Sequence, residues 1–159
     1  MDADALNRIS ESKLGPKFFL ERKYKTWITP HIKEFSRLFP NIKGETNVEL
    51  ALNAAKEFNI CVLLKGANSV IADNKVAWQL VGTDSETARA GLGDLLSGFV
   101  AGSSAIDLTF CRNIKTEFFA KYVLLHSFAA SKCETGSNAS AIGDELSKLM
   151  RKRKMRQIS

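Results

Sequence analysis

Within this 159-residue chain, the stretch Gly91-Leu92-Gly93-Asp94 has the residue types and spacing that most directly suggest chemistry. Two glycines flank a leucine, an acid follows, and apolar residues then recur at helical spacing as far as Gly102. A glycine turn that opens a helix leaves backbone N–H groups pointing off the helix start. Those groups favour an anion, commonly a phosphate. A carboxylate beside such an anion can take a proton from a substrate hydroxyl as it attacks a phosphoryl group. Asp94 is also a good helix N-cap, a role that needs no ligand. The short Gly-x-Gly is neither a Walker loop nor the dinucleotide fingerprint, so spacing alone leaves both roles open.

Two further clusters could bind a ligand. Lys65-Gly66 follows the apolar run Ile60–Leu64, with Asn68 and Ser69 close behind. If that run is a buried strand, its end is where open α/β folds bind ligands. Lys65 offers a cation, Gly66 permits close backbone approach, and Asn68 and Ser69 offer hydrogen bonds. An ordinary strand-to-hairpin turn would use the same residues. His31 follows Pro30 at the end of a second short apolar run, again at the expected ligand edge. It could bond a substrate or simply start a helix. His126 falls in the middle of an apolar helix face and reads as structural. Spacing assembles no Ser–His–acid set and no zinc cluster, so no metal site is expected. Cys61, Cys111 and Cys133 are odd in number and far apart, which fits a reduced cytoplasm better than a disulfide or metal framework.

These residues need elements to position them. Residues 2–10 read as a short helix or loop, followed by a basic connection through Gly15-Pro16. Thr26–Pro30 reads as a short buried strand. Ile32, Phe35, Leu38 and Phe39 share one helical face. Thr46 and Glu49 form a capping-box pattern ahead of a helix whose apolar face is Val48, Ala51, Leu52, Ala55 and Phe58. The strand Ile60–Leu64 after that helix implies parallel pairing. Ser69–Gly82 reads as a hairpin turning at Asp73-Asn74-Lys75. Three helices follow, from about Asp94 to Ile106, Lys115 to Ser131 and Ala141 to Arg151. Phe118, Phe119, Tyr122, Val123, Leu125, His126 and Ala129 form the broad apolar face of the second. Ile142, Leu146 and Leu149 line the third.

The expected class is therefore α/β: a layered fold with a partial parallel sheet, a hairpin and a C-terminal helical group. Two parallel strands and a hairpin are few for a sheet covered on both faces, so part of the sheet is expected to lie outside this chain. Residues 1–150 are expected to form the domain and 151–159 a basic tail. The net charge of +6 suits phosphate-bearing ligands in general. Much of it lies in Arg151–Arg156, where the absence of interleaved aromatics favours a solvated helix end over a nucleic-acid surface. No segment has the length or character of a membrane span or signal peptide.

Taken in order, DADALN (2–7), TPHIKEFSRL (29–38), VLLKGANSVIAD (62–73), AGLGDLLSGFVAG (90–102), LLHSFAA (124–130) and AIGDELSKLM (141–150) resemble the successive motifs of one family. It is the ADP- or ATP-dependent NAD(P)H-hydrate dehydratase family of the ribokinase-like superfamily. The resemblance implies an incomplete ribokinase-like fold and a repair reaction. In it, a nucleoside phosphate turns the hydroxyl of hydrated NADH or NADPH into a leaving group, and elimination restores the cofactor. It implies Asp94 as catalytic acid/base and substrate contact, and His31 as a contact to the hydrated dinucleotide. Lys65, Gly66, Ala67, Asn68, Ser69 and Gly93 would line the nucleotide site, with ADP or ATP and Mg2+ as cofactors. Against the family pattern, Leu92 replaces a small hydroxyl residue, Arg89 a threonine, and Ile32-Lys33 a Pro-Gly pair. The longer N-terminal half usual in the family has no counterpart here. A second copy of the chain or a separately encoded N-terminal half is the expected protein partner, with no membrane or nucleic-acid partner. Two other readings remain open: a residual fragment that binds nucleotide without turnover, and a small-molecule kinase of the same superfamily using Asp94 as base.

Overall fold

The computed structural model describes residues 1–80, 91–110, 115–134 and 136–151, and the backbone alone for 152–156. Arg89, Cys111, the hairpin residues Val81 and Gly82, and the side chains of the tail beyond Arg151 lie outside the described residues. Two compact units divide the chain, Met1–Thr83 and Asp84–Ser159.

The first unit is a four-stranded sheet with helices. Its elements are α1 (Ala3–Glu11), a 3-10 turn (Gly15–Phe19), β1 (Trp27–Ile28), α2 (Ile32–Leu38), α3 (Asn47–Phe58), β2 (Cys61–Leu64), β3 (Val70–Ala72) and β4 (Ala77–Gln79). The sheet order is β1-β2-β3-β4. β1 and β2 are parallel, with Trp27 opposite Cys61 and Ile28 opposite Val62. The remaining pairs are antiparallel. The α3 crossover between β1 and β2 is what makes that pair parallel, since a tight turn can only reverse direction. The hairpin turns where expected: Asp73 Oδ1 accepts from the Lys75 and Val76 N–H groups at 2.8 and 3.0 Å, an Asx turn that fixes register.

One face of the sheet carries Ile28, Val62, Leu64, Val70 and Ala72 into a core with Leu6 and Ile9 of α1, Phe35 and Leu38 of α2 and Phe58 of α3. Ala51, Ala54 and Ala55 give α3 a flat inner face, fully buried, and it packs on β2 and β3. Phe39 joins the elements: its ring lies 5.0 Å from Phe35, 5.1 Å from Phe58 and 6.2 Å from Phe19. Within α2, Phe35 and Leu38 are buried as the periodicity expects, but Ile32 is 44% exposed. Ile32 is the first residue after the cap and faces solvent there. The capping box of α3 also differs. Thr46 Oγ1 accepts from the Glu49 N–H, but the Glu49 carboxylate accepts from the N–H of Glu45 rather than Thr46.

The second unit is helical: α4 (Leu92–Phe110), α5 (Thr116–Lys132) and α6 (Ala139–Arg156). Ala129 and Ala130 of α5 and Ile142 and Leu146 of α6 form its buried cluster, joined by Leu92, Leu95 and Phe99 of α4. α4 runs one turn beyond the expected Ile106. Asp107 on that extra turn accepts a hydrogen bond from the Tyr122 hydroxyl, which ties α4 to α5. α6 begins two residues before the expected Ala141, and its backbone carries the helix through the basic segment to Arg156.

Candidate functional site

The site is built on the carboxyl edge of the parallel strands. β1 runs into Pro30 and His31, and β2 into Lys65. The Lys65 N–H donates to the Pro30 carbonyl at 2.8 Å, and His31 and Lys65 form one further parallel bridge. On the other side of β1, the Met1 amine donates to the Trp27 carbonyl at 2.8 Å. The Thr29 N–H in turn donates to the Met1 carbonyl at 3.1 Å. That alternation is how a parallel strand pairs with Ile28. Met1-Asp2, β1 and β2 therefore end side by side, and Asp2, His31 and Lys65 stand together where open α/β sheets bind ligands. Burial is the main cause that lowers the Met1 amine pKa below its ordinary 8.0.

His31 is the N-cap of α2. Its Nδ1 accepts from the Lys33 and Glu34 N–H groups at 3.1 and 3.3 Å. The Glu34 carboxylate accepts from the His31 N–H at 2.8 Å, completing a reciprocal box. With Nδ1 accepting, the ring proton resides on Nε2, 3.5 Å from Glu34 Oε1 on a half-exposed ring. His31 thus starts a helix and still presents an N–H donor at the strand edge.

The Lys65 ammonium donates to both oxygens of Asp2, at 2.8 and 3.1 Å, with side chains 24% and 9% exposed. The turn beyond it is closed internally. The Gly66 N–H donates to Ser69 Oγ at 3.2 Å, and the Ser69 hydroxyl donates to the Gly66 carbonyl at 3.0 Å. Gly66, Ala67 and Asn68 are exposed. Apart from its two chain neighbours, nothing among the described residues lies within 4 Å of where a Gly66 Cβ would sit, so a ligand can approach this backbone closely.

Gly93 and Asp94 stand on the first turn of α4 in the second unit. The first helical bond runs from the Leu95 N–H to the Gly91 carbonyl at 3.0 Å. Gly91 is therefore the N-cap and Asp94 the third helical residue, so the N-cap role for Asp94 is excluded. The N–H groups of Leu92, Gly93 and Asp94 precede the helical ladder, at the end of a helix where the dipole favours an anion. Gly91 has φ +80°, a conformation side-chain-bearing residues rarely adopt, which explains the glycine. Asp94 itself is exposed.

The structure thus brings His31 and Lys65–Ser69 together in one unit and sets Gly93 beside Asp94 in the other. Sequence reasoning missed Asp2 and Glu34. Glu34 was detectable from the His-x-x-Glu spacing of a capping box, whereas no local signal links Asp2 to a lysine so distant in sequence. His126 is buried, as its place on an apolar face suggested. Its Nε2 has no hydrogen-bond partner, and burial pushes its pKa down to about 4. A surface concavity of about 480 Å³ is lined by Asn41, Ile42, Lys43, Asn53, Lys56 and Glu57, and by none of the expected site residues. Among the described residues no group of three or more His, Cys, Asp or Glu side chains could hold a metal ion. None of their helices is long and apolar enough to cross a membrane.

Comparison with known proteins adds sequence and fold relatives. A family model described as NAD(P)H-hydrate dehydratase matches residues 1–151. The bifunctional NAD(P)H-hydrate repair enzyme Nnr of Synechocystis sp. is 38% identical over 103 residues, which cover 64% of this chain and 20% of that enzyme. The ADP-dependent (S)-NAD(P)H-hydrate dehydratase of Nitrosopumilus maritimus is 34% identical over 106 residues, covering 64% and 37%. A ribokinase-like superfamily protein from Enterococcus faecalis superposes with a TM-score of 0.73 at 25% identity, over 95% of this chain and 51% of that one. The ADP/ATP-dependent NAD(P)H-hydrate dehydratase of Bacillus subtilis, co-crystallised with ATP/Mg2+ and soaked with CoA, shares the fold. Its TM-score is 0.63 at 22% identity, over 83% and 52%. The chain spans about a fifth of the first bifunctional relatives and about half of these solved structures.

Proposed function

The chain belongs to the NAD(P)H-hydrate dehydratase family, and from that premise we propose that it supplies the nucleotide-binding and acid–base part of a dehydratase that restores hydrated NADH or NADPH. The match over residues 1–151 carries this reading. Asp94 acts as the acid/base at the substrate hydroxyl. Its exposure on the first turn of α4 gives the carboxylate access to ligand, and the amides of Leu92 and Gly93 favour an anionic neighbour. His31 donates from Nε2 to the hydrated dinucleotide. Lys65, Gly66, Ala67, Asn68, Ser69 and Gly93 line the site of the adenine nucleotide, ADP or ATP. Open space at Gly66 suits close approach of a polyphosphate to that backbone. When bound, the nucleotide supplies the phosphoryl chemistry that makes the hydroxyl a leaving group. Mg2+ would accompany the phosphates, as in the Bacillus subtilis relative co-crystallised with ATP/Mg2+.

The reading extends to a protein partner. The chain spans about half of the solved relatives, and β1 lies at one end of the sheet, where Met1 makes a single bridge. Sheet edges accept further strands. A second copy of the chain or a separately encoded N-terminal half would complete the enzyme there. The odd number and wide spacing of Cys61, Cys111 and Cys133 suit a cytoplasmic setting. The test incubates the chain with hydrated NADH, Mg2+ and either ATP or ADP, with and without an N-terminal half taken from a relative, and follows the return of NADH absorbance. Recovery with a nucleotide and none without it is the expected result. No recovery with either nucleotide, even with the added half, would contradict the proposal.

A further inference from the structure

Asp2 has no role in the site proposed above, yet it engages the cation of that site. Its carboxylate is 9% exposed, and both of its oxygens accept from the Lys65 ammonium. It stands at the start of α1 but makes no side-chain cap there. Met1-Asp2 lies beside the outer edge of β1 and Lys65 extends β2 on the inner edge. Neighbouring strands are about 4.8 Å apart, so the ion pair reaches across roughly two strand spacings, over the carboxyl end of β1. That end is the ligand position in open sheets. The pair is therefore a strap over the site, and the cation beneath it is already neutralised. The next donor along, the Gly66 N–H, is occupied by Ser69 in the same way.

We propose that Asp2 is a specificity-determining residue, an internal carboxylate that occupies Lys65 and yields only to a polyanion. This rests on the nucleotide reading of the Lys65–Ser69 turn. An incoming singly charged anion exchanges one negative charge for another at the same ammonium and gains little. A di- or triphosphate brings several charges to that ammonium and displaces the carboxylate at a net Coulombic gain. Neutralising Asp2 removes the competitor and the nearby repulsion together, so every anion should bind more tightly and simple phosphate should benefit most.

The experiment measures calorimetric affinities of the whole chain for ADP, ATP, inorganic pyrophosphate and inorganic phosphate. Wild type is compared with Asp2→Asn, Asp2→Glu, Lys65→Met and the Asp2→Asn/Lys65→Met pair. Asp2→Asn should bind pyrophosphate and nucleotide about tenfold more tightly and should gain measurable phosphate binding. Asp2→Glu should stay near wild type. The gain should vanish in the Lys65→Met background, which a purely structural effect of Asp2 would not do. Unchanged or weaker binding in a folded Asp2→Asn chain would overturn the proposal, as would a gain that persists without Lys65. If Asp2→Asn does not fold cooperatively, Asp2→Ser, small and neutral, is judged by the same criteria. A wild type that binds neither nucleotide would contradict the proposed function instead. Asp2 would then be judged on pyrophosphate alone, whose affinity must still rise in Asp2→Asn.

Discussion

His126→Leu should remove an acid sensitivity built into the helical unit. His126 is buried, its Nε2 has no partner, and burial lowers its pKa from the ordinary 6.5 to about 4. The folded chain therefore keeps the ring neutral where the unfolded chain protonates it. Between those values the unfolded state binds more protons, so stability is full above about pH 6.5 and falls as the pH drops toward 4. At about 1.4 kcal/mol per pH unit, the whole window costs about 3 kcal/mol. Leucine has a similar length, does not titrate and leaves no unsatisfied nitrogen. Denaturant unfolding followed by helical circular dichroism, on wild type and variant from pH 7.5 to pH 4, isolates the contribution. Groups common to both chains, including the Asp2–Lys65 and His31–Glu34 pairs, cancel in the comparison. At pH 7.5 the variant should be at least as stable as wild type, and toward pH 4 wild type should lose about 3 kcal/mol more than the variant. Parallel pH profiles for the two chains would refute the reasoning.

Phe58→Ala should cost about 3–5 kcal/mol in denaturant unfolding. Its ring is 6% exposed and stacks 5.1 Å from Phe39 at the end of α3, so the cavity opens inside the core of the first unit. Gly91→Ala should cost about 1–2 kcal/mol through its backbone alone. Its φ is +80°, and a Cβ there would meet Ala139 at an ordinary 3.5 Å, so calorimetric melting should show a shift without any packing clash.

Much of the first unit was legible because its signals are local. An apolar run, a helical crossover and a second apolar run imply parallel pairing, and β1 and β2 pair in that way. Asp73 announced its turn by residue type. Misplaced details came from treating a pattern as continuous through a helix end. Ile32 has the right spacing but is the first residue after the cap, where the inner face has not yet turned toward the core. Asp107 breaks the apolar pattern of α4 and so hid the last turn, yet its carboxylate is satisfied by Tyr122. At the site, the glycine turn and the strand-end positions were readable from residue type and periodicity. The role of Gly91 as cap, with Asp94 three positions beyond it, depends on which carbonyl accepts the first helical bond. The Asp2–Lys65 pair links positions 63 residues apart, and only the folded strand order brings them together.

The proposed function places the acid/base chemistry on Asp94, so the most direct measurement is the rate at which the completed enzyme returns NADH from its hydrate with Asp94→Asn in place of wild type, at saturating nucleotide. Substitution of the acid/base should lower that rate about a hundred- to ten-thousand-fold, while nucleotide affinity stays near the wild-type value. A variant that recovers NADH within tenfold of wild type would contradict the central claim.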